Sequence, residues 1–406
     1  MVNQTLYGLF IFSLSMHCFI ACLASEAGNH QLANQTFQSE ELHKLKKMIT
    51  SRLKQINKPA VKTIQSSDGD IIDCVVSHKQ PAFDHPLLKG QKPLDPLERS
   101  KGNNQTDILS GKFQLWSLYD ESCPEGTIPI RRAKEEDILR ASSIDTFGRK
   151  LSQVATDATE YKHVHSYGSV TGDRYYGAKA TINLWAPHVE DENEFSLSQI
   201  WVLANGNENT IEAGWQVSHQ IYGDYLPRIF VYWTANGYKG TGCYNLRCPG
   251  FVQTSKTFAL GGALSPPSTY NGRQIEITLL IYKDQKTGNW WLEYGSGNII
   301  GYWPSSLFTS LKDSATTVEF GGEVYIKSTG THSSTQMGSG HFADEGSSKA
   351  SYFRDMQVVN SDNKLIPLSN LNVFAEEPKC YNIIKGTSNE GNYFYYGGPG
   401  KNMNCP

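Results

Sequence analysis

Two stretches far apart in the chain place carboxylates at strand spacing. Asn209 to Ser218 reads N-T-I-E-A-G-W-Q-V-S. Ile211, Ala213, Trp215 and Val217 fall on one side of an extended chain, and Glu212, Gly214, Gln216 and Ser218 on the other. Period two predicts a strand with one apolar face against a core, and Trp215 belongs to that face. Thr317 to Tyr325 repeats the design, with Val318, Phe320, Gly322 and Val324 opposed to Glu319, Gly321, Glu323 and Tyr325. If both polar faces line one groove, two or three carboxylates converge in it. Burial and proximity then push their pKa values apart. The ionised one activates a water, and the protonated one polarises a carbonyl or donates to a leaving group. Gly214 and Gly321 leave bare positions beside the carboxylates where a substrate backbone can approach. Alternation does not choose between Glu319 and Glu323, because both face the same way.

Other residues offer chemistry less directly. His163 and His165 share a strand face; they suit a metal, but the reading taken is a surface pair. No Gly-x-Ser-x-Gly elbow occurs, which argues against a serine hydrolase. Six cysteines lie beyond residue 24, and locality favours Cys243 with Cys248 and Cys380 with Cys405, leaving Cys74 with Cys123. An even count in an exported chain suggests disulfides, and no second Cys or His pair sits at zinc-ligand spacing.

The elements that must position the glutamates are short strands. The chain has 406 residues, 36 of them glycine, with 11% aromatic and 19% charged residues. That composition fits an all-β globular protein, and a net charge of −3 gives no bulk attraction to nucleic acid. Beyond about residue 160, strand-like runs recur at Ala178–Trp185, Leu197–Leu203, Ile229–Trp233, Phe251–Thr254, Ile275–Tyr282 and Trp290–Tyr294. Asn205-Gly206, Asn236-Gly237 and Asn271-Gly272 supply turns between them, which predicts a sandwich or barrel.

The leading part differs. Met1 to Ala24 reads as a secretory signal, after which no stretch is suited to a bilayer. Ser39 caps a predicted helix in which Leu42, Leu45, Met48, Ile49 and Leu53 recur at helical spacing until Pro59. A hairpin turning at Asp68-Gly69 leads into a strand over Ile71–Val76. Ala133 to Tyr161 reads as an exposed connector, cleavable at the dibasic pair Arg149-Lys150. Outside the signal, sequons occur at Asn34 and Asn104, so glycans are expected only on the leader. The domains expected are therefore 1–24 signal, 25–155 leader with connector, and 156–406 β-sandwich. Residues 25–150 hold 19 Lys and Arg against 17 Asp and Glu, and residues 151–406 hold 18 against 23. A cationic leader on an anionic body can dock partly by charge, and acid would weaken that docking.

Longer motifs carry a resemblance. Phe195 to Trp201, Thr210 to Val217, Tyr232-Trp233-Thr234, Gly242-Cys243-Tyr244, Pro249 to Thr254 and Gly301-Tyr302-Trp303-Pro304 resemble the neprosin family, plant glutamic prolyl endopeptidases. So do Glu319-Phe320-Gly321-Gly322-Glu323, the Gln336–Phe342 run with His341, and Tyr395 to Gly400. Lys79 to Lys89 and Cys123 to Arg132 resemble the family's activation peptide. Members can carry Trp where this chain has Phe320, a position on the apolar face.

The resemblance implies an antiparallel β-sandwich preceded by a small α+β propeptide that inhibits it, with catalytic glutamates at Glu212 and Glu323. It implies cleavage after proline in proline-rich peptides at acidic pH, without metal or cofactor, by a secreted enzyme of the apoplast or vacuole. Gln216, Glu319 and Tyr325, on the same faces as the glutamates, are expected near substrate, Gln216 as an oxyanion donor. Which glutamate is acid and which base is left open. The alternatives are a non-catalytic β-sandwich that binds cell-wall glycan through its aromatic residues, and a glycosidase. No proline lies between Pro129 and Pro187, so a strictly proline-specific enzyme cannot cut its own connector.

Overall fold

A computed structural model describes residues 40–95, 113–118, 121–141, 143–150, 160–368, 370–388 and 391–406. The expected signal, Ser39 and both sequon asparagines, Asn34 and Asn104, lie outside the described residues. The chain divides into two compact units, residues 1–53 and 54–406. Residues 40–53 are helical throughout, as the apolar spacing predicts.

The second unit holds eighteen described strands, β1 to β18 in chain order, in three sheets. The leader supplies β1 (Ala60–Gln65), β2 (Ile71–Val76) and β3 (Thr127–Arg131), joined in that order. Gly69 turns the β1–β2 hairpin at φ +86°, in the left-handed region a glycine adopts freely. The Cys74–Cys123 disulfide ties β2 to the segment before β3.

The body is the expected antiparallel sandwich. One sheet runs β16 (Asn372–Ala375), β4 (Tyr161–Tyr175), β13 (Ala315–Lys327), β6 (Phe195–Ala204), β7 (Asn209–Ser218) and β8 (Arg228–Thr234). The other runs β17 (Asn382–Ser388), β18 (Gly391–Gly397), β14 (Ser351–Val359), β5 (Gly177–Asn183), β10 (Glu276–Lys283), β11 (Trp290–Tyr294), β12 (Asn298–Trp303) and β9 (Val252–Gln253), with β15 (Leu365–Pro367) beside β14.

The inner faces meet in one core. Ile211, Ala213, Trp215 and Val217 of β7 join Val318, Phe320 and Val324 of β13 against Ala180, Ile182, Leu279 and Ile281 of the facing sheet. Trp215 is fully buried, and its indole N–H donates to the Asn183 carbonyl at 3.0 Å. Alternation therefore assigned the core face correctly. The polar face is a different matter: all ten residues of β7 are buried, so that face is roofed over.

Part of the roof is the body's own. Tyr222, Tyr232, Tyr238 and Tyr244 cluster over the outer face of β6, β7 and β8 with Leu197, Trp201 and Phe230. Cys243–Cys248 closes the loop that carries Tyr244, and the third expected disulfide, Cys380–Cys405, is also formed. The leader also packs on the other sheet, at β9, β11 and β12. Gln80 donates to the Gln253 carbonyl at 2.9 Å and accepts from the Gln253 N–H at 2.8 Å. Gln114 makes the same two-point contact with Ala259, at 2.7 and 2.8 Å. Ala82, Phe83 and Leu88, from the motif that resembles the activation peptide, pack against Trp291 and Tyr302. Helix α1 (Glu135–Leu139) and the turns after it continue over β8 toward the glutamates.

Candidate active site

Strand register brings the separate stretches together. Residues directly opposite in an antiparallel pair point to the same face. Glu212 faces Tyr232 on β8 and Trp201 on β6. Trp201 in turn faces Glu319 on β13. Two positions along, Phe230, Gly214, Gln199, Gly321 and Tyr167 form a rung. Two further on lie Arg228, Gln216, Leu197, Glu323 and His165. Glu212 and Glu323 thus stand diagonally across Gln199 on one face.

Lys150 occupies the space between them. Its Nζ lies 2.9 Å from Glu323 Oε2 and 3.4 Å from Glu212 Oε2. It also lies 5.6 Å from the centre of the Tyr238 ring. Burial disfavours the ammonium, but Glu212 and Glu323 outweigh it and raise the Lys150 pKa above its ordinary value. The expected exposed dibasic site is therefore half right. Arg149 is exposed, whereas the Lys150 side chain is only 8% exposed because it is drawn into a pair of buried carboxylates.

The two glutamates have unlike surroundings. Glu212 is met by uncharged donors: Tyr238 Oη at 2.6 Å, Thr210 Oγ1 at 3.0 Å and Gln199 Nε2 at 3.0 Å. Glu323 is met by imidazoles from β4: His163 Nδ1 at 2.5 Å and His165 Nε2 at 3.7 Å. Burial alone would raise the Glu323 pKa. Lys150, the His163 hydrogen bond and His165 reverse that and hold it well below the usual carboxylate range. Burial likewise opposes charge on His165, but Glu376, at 3.0 Å, and Glu323 raise its pKa.

Of the two β13 glutamates on this face, Glu323 is the one that meets Lys150. Glu319 does not reach Lys150; it lies 3.5 Å from Ser169 Oγ, and burial raises its pKa. Four residues of strand separate it from Glu323, roughly 13 Å. Gln216 is buried and donates to the Tyr222 hydroxyl at 2.8 Å, two rungs from Glu212. Tyr325 stacks with Phe195 and lies beside His163, ring centres 4.6 Å apart, next to the glutamate end of β13. His341 lies elsewhere in the fold, paired with Glu345 and Tyr270.

Two expectations need correction. His163 and His165 are not a surface pair; His163 is buried against Glu323 because the outer face of β4 continues the face of β13. Gly214 and Gly321 do not leave room for substrate. A Cβ at Gly214 would fall 2.0 Å from the Ser198 carbonyl oxygen, and one at Gly321 would fall 2.4 Å from that of Ser166. The neighbouring strand backbones take that space. The leader docks partly by charge, and in both senses: its Lys150 meets Glu212 and Glu323, and its Asp68 and Asp70 meet the body's Arg228. Gln199 and Tyr238 escaped the sequence reading altogether. Gln199 carried a signal, being the polar member of the otherwise apolar Phe195, Leu197, Gln199, Trp201 face.

Among the described residues, one grouping of His and Cys lies at metal-ligand distances, His332 with Cys380 and Cys405, and its cysteines form a disulfide. The site around Lys150 gathers two carboxyls, two imidazoles and an ammonium, groups able to give and take protons.

Residues 192–399 match a family model described as Neprosin, and residues 63–175 match one described as Neprosin activation peptide. Among solved structures, the chain is similar to scytalido-glutamic peptidase with a peptide-based transition-state analogue. That match has 12% identity and a TM-score of 0.33 and covers 59% of this chain and 99% of the other. SCP-B, a peptidase of the eqolisin family in complex with the tripeptide Ala-Ile-His, matches at 11% identity with the same coverage and a TM-score of 0.32. A toad ovary galectin with thio-digalactose matches at 9% identity, covering 41% of this chain and 92% of the other, with a TM-score of 0.19.

Proposed function

The chain belongs to the neprosin family, a glutamic-type peptidase carrying its own activation peptide, and from that premise we propose that it is the latent form of a secreted endopeptidase cutting after proline at acidic pH. The observation that carries this reading is the convergence of Glu212 and Glu323 on one ammonium, supplied by the leader. Glu212 is 1% and Glu323 0% exposed, so the leader must move before substrate enters. Export is supported by three disulfides, which persist in oxidising compartments. We take residues up to about 155 as the part removed and 156–406 as the enzyme.

The asymmetry of the pair supports one division of roles. His163 and His165 stay on β4 after the leader leaves, and in acid both favour an ionised Glu323. Glu323 is the base: it takes a proton from water as the hydroxyl adds to the peptide carbonyl carbon. Glu212 is the acid: in its protonated form it donates to the departing nitrogen as the C–N bond breaks. Gln199 and Tyr238 hold the Glu212 carboxyl in place.

The test is digestion of proline-containing peptides by the leader-free enzyme at about pH 3 to 5, near the ordinary carboxyl range, with product sequencing and glucan oligomers offered alongside. Cleavage after proline that disappears in Glu212→Gln and in Glu323→Gln is the expected result. Undiminished cleavage in either variant, or glucan turnover with intact peptides, overturns the reading.

A further inference from the structure

A second buried charge cluster lies at the β8 end of the same concave face. Arg228, on the Glu323 rung, is fully buried. Its Nη1 donates to Asp70 Oδ2 at 2.6 Å and to the Gly261 carbonyl at 2.7 Å. Its Nη2 donates to Asp224 Oδ2 at 2.6 Å and Asp68 Oδ2 at 3.3 Å, and its Nε to Asp224 Oδ1 at 3.1 Å. Arg247, from the disulfide-closed loop, donates to the Ile221 carbonyl and takes its opposing charge from Asp137. Both guanidinium groups lie over the Tyr222 ring, at 5.2 and 5.7 Å from its centre. Burial lowers the Arg247 pKa to about 10, which leaves it cationic through the acid and neutral range. The charged groups facing the pair are Asp68, Asp70, Arg131, Asp137 and Arg140 from the leader and Asp224 from the body.

The leader traces a path from this cluster to the glutamates. The Phe147 ring lies 4.7 Å from the Arg247 guanidinium. The Gly148 backbone presses so close that a Cβ there would come within 2.7 Å of Arg247 Cβ. The Gly148 carbonyl accepts from the Tyr244 N–H at 2.7 Å, and the Lys150 N–H donates to Tyr232 Oη at 3.3 Å. The Lys150 ammonium then enters the carboxylate pair. Phe147 and Gly148 lie in a turn closed by the Arg149 N–H on the Thr146 carbonyl at 2.9 Å, and Arg149 and Lys150 leave it toward the glutamates. Leader backbone therefore already lies along this arm of the cleft, a distance that about three extended substrate residues, roughly 10 Å, can cover.

We propose that, once the leader is gone, Arg228 and Arg247 form a carboxylate-binding subsite of the peptide cleft, selecting substrates with an acidic side chain roughly three to five residues from the cut bond. The inference rests on the peptidase reading and adds a substrate class to it. When the leader departs, Asp68, Asp70 and Asp137 leave with it. Of the carboxylates Asp68, Asp70, Asp137 and Asp224, the body retains Asp224, which pairs with Arg228. Guanidinium forks match carboxylates in geometry. Stacking on Tyr222 fixes both arginines beforehand, so little side-chain freedom is lost on binding. The three leader aspartates show the chemistry this end of the cleft accepts.

The test uses the leader-free enzyme and peptides sharing one cleavable bond. Glu or Gln is placed three, four or five residues from that bond, on each side in turn, and kcat/KM is measured at about pH 5, above the ordinary glutamate pKa. At one placement Glu should be favoured about tenfold, the scale of one partly buried charge-assisted contact. The preference should fall to within about twofold in Arg247→Gln and in Arg228→Gln, by loss of that same contact. A check that needs no folded variant uses pH. The Glu preference should fade below about pH 4 as the side chain protonates, whereas a cysteic acid peptide keeps it. Glu and Gln peptides cut equally at every placement overturn the subsite and leave the peptidase reading standing. A preference that survives both arginine variants, or that does not follow ionisation of the peptide, also overturns it. If no peptide is cut, the peptidase reading falls and the subsite with it.

Discussion

Glu212 and Glu323 are the same residue type on the same face, and their neighbours make them different. Neutral donors orient Glu212, while imidazoles hold Glu323 ionised. If Glu323 is the base, removing His163 raises its pKa, and activity on the acid side is lost earlier. His163→Asn should move the acid limb of the kcat/KM profile upward by about one pH unit, one hydrogen-bonded partner's worth. A limb that stays put while overall activity falls would make His163 a packing residue only. Lys150 invites a second experiment. Replacing one member of a buried ion cluster leaves the others uncompensated, at about 3–5 kcal/mol. In Lys150→Ala the precursor should hold its leader about 150- to 4,000-fold more weakly and show peptidase activity without cleavage, read with a fluorogenic peptide. A silent Lys150→Ala precursor would place latency in the aromatic roof and the glutamine contacts instead.

At the scale of elements, β13 and β7 do the positioning, and the glycines between the functional side chains let strands approach. The Cβ of Gly214→Ala would collide with backbone rather than with a movable side chain. We expect a loss of about 2–4 kcal/mol, beyond an ordinary surface substitution, seen as a lower denaturant midpoint. Unchanged stability with reduced activity would return Gly214 to a substrate-facing role. The alternating pattern of β7 and β13 was plain in the sequence because their apolar sets are unbroken. The fifteen-residue β4 was harder to see, since Tyr161, Lys162, His163, His165 and Ser166 read as a polar connector running into a surface strand. Its polar residues are tolerated because they meet Glu323 and Glu376 rather than a greasy core.

At the scale of the whole molecule, the latent form is pinned by charges that respond to acid with opposite signs. Glu323 and Asp137 have pKa values below their ordinary ones. Their contribution is complete above the ordinary carboxyl range and is lost as pH falls through the lowered values. His165 has a raised pKa, so its contribution is complete below the ordinary imidazole value and is lost as pH rises through the raised one. Acid therefore removes the carboxylate ties to Lys150 and to the body's Arg247 while leaving His165 charged. The Cys74–Cys123 bridge lies within the leader and the other two within the body, so none of the three ties leader to body. In precursor nicked near residue 155, which keeps Lys150 on the leader, gel filtration should show leader and body together near neutral pH and separating progressively as pH falls below about 4.5 toward the lowered carboxyl values. Separation that instead begins above neutrality would reverse the sign argued here. Glu212→Gln precursor incubated alone in acid addresses processing. With no proline between Pro129 and Pro187, another protease is expected to cut the connector. Cleavage by pure wild type but not by the variant would show self-processing with looser specificity.

The sequence by itself determined the sandwich, its core face, the three disulfide pairs by locality, and a face bearing Glu212 with Glu319 or Glu323. All of these are local properties of period two and of spacing. Folded contacts decided the rest: which β13 glutamate meets Glu212, that Gln199, Tyr238 and the β4 histidines complete the site, and that Lys150 fills it. Those facts depend on strand order and register across β4, β13, β6 and β7. The pairings of β13 with β4 and with β6 arise from hydrogen bonds between segments more than a hundred residues apart, which no local pattern encodes.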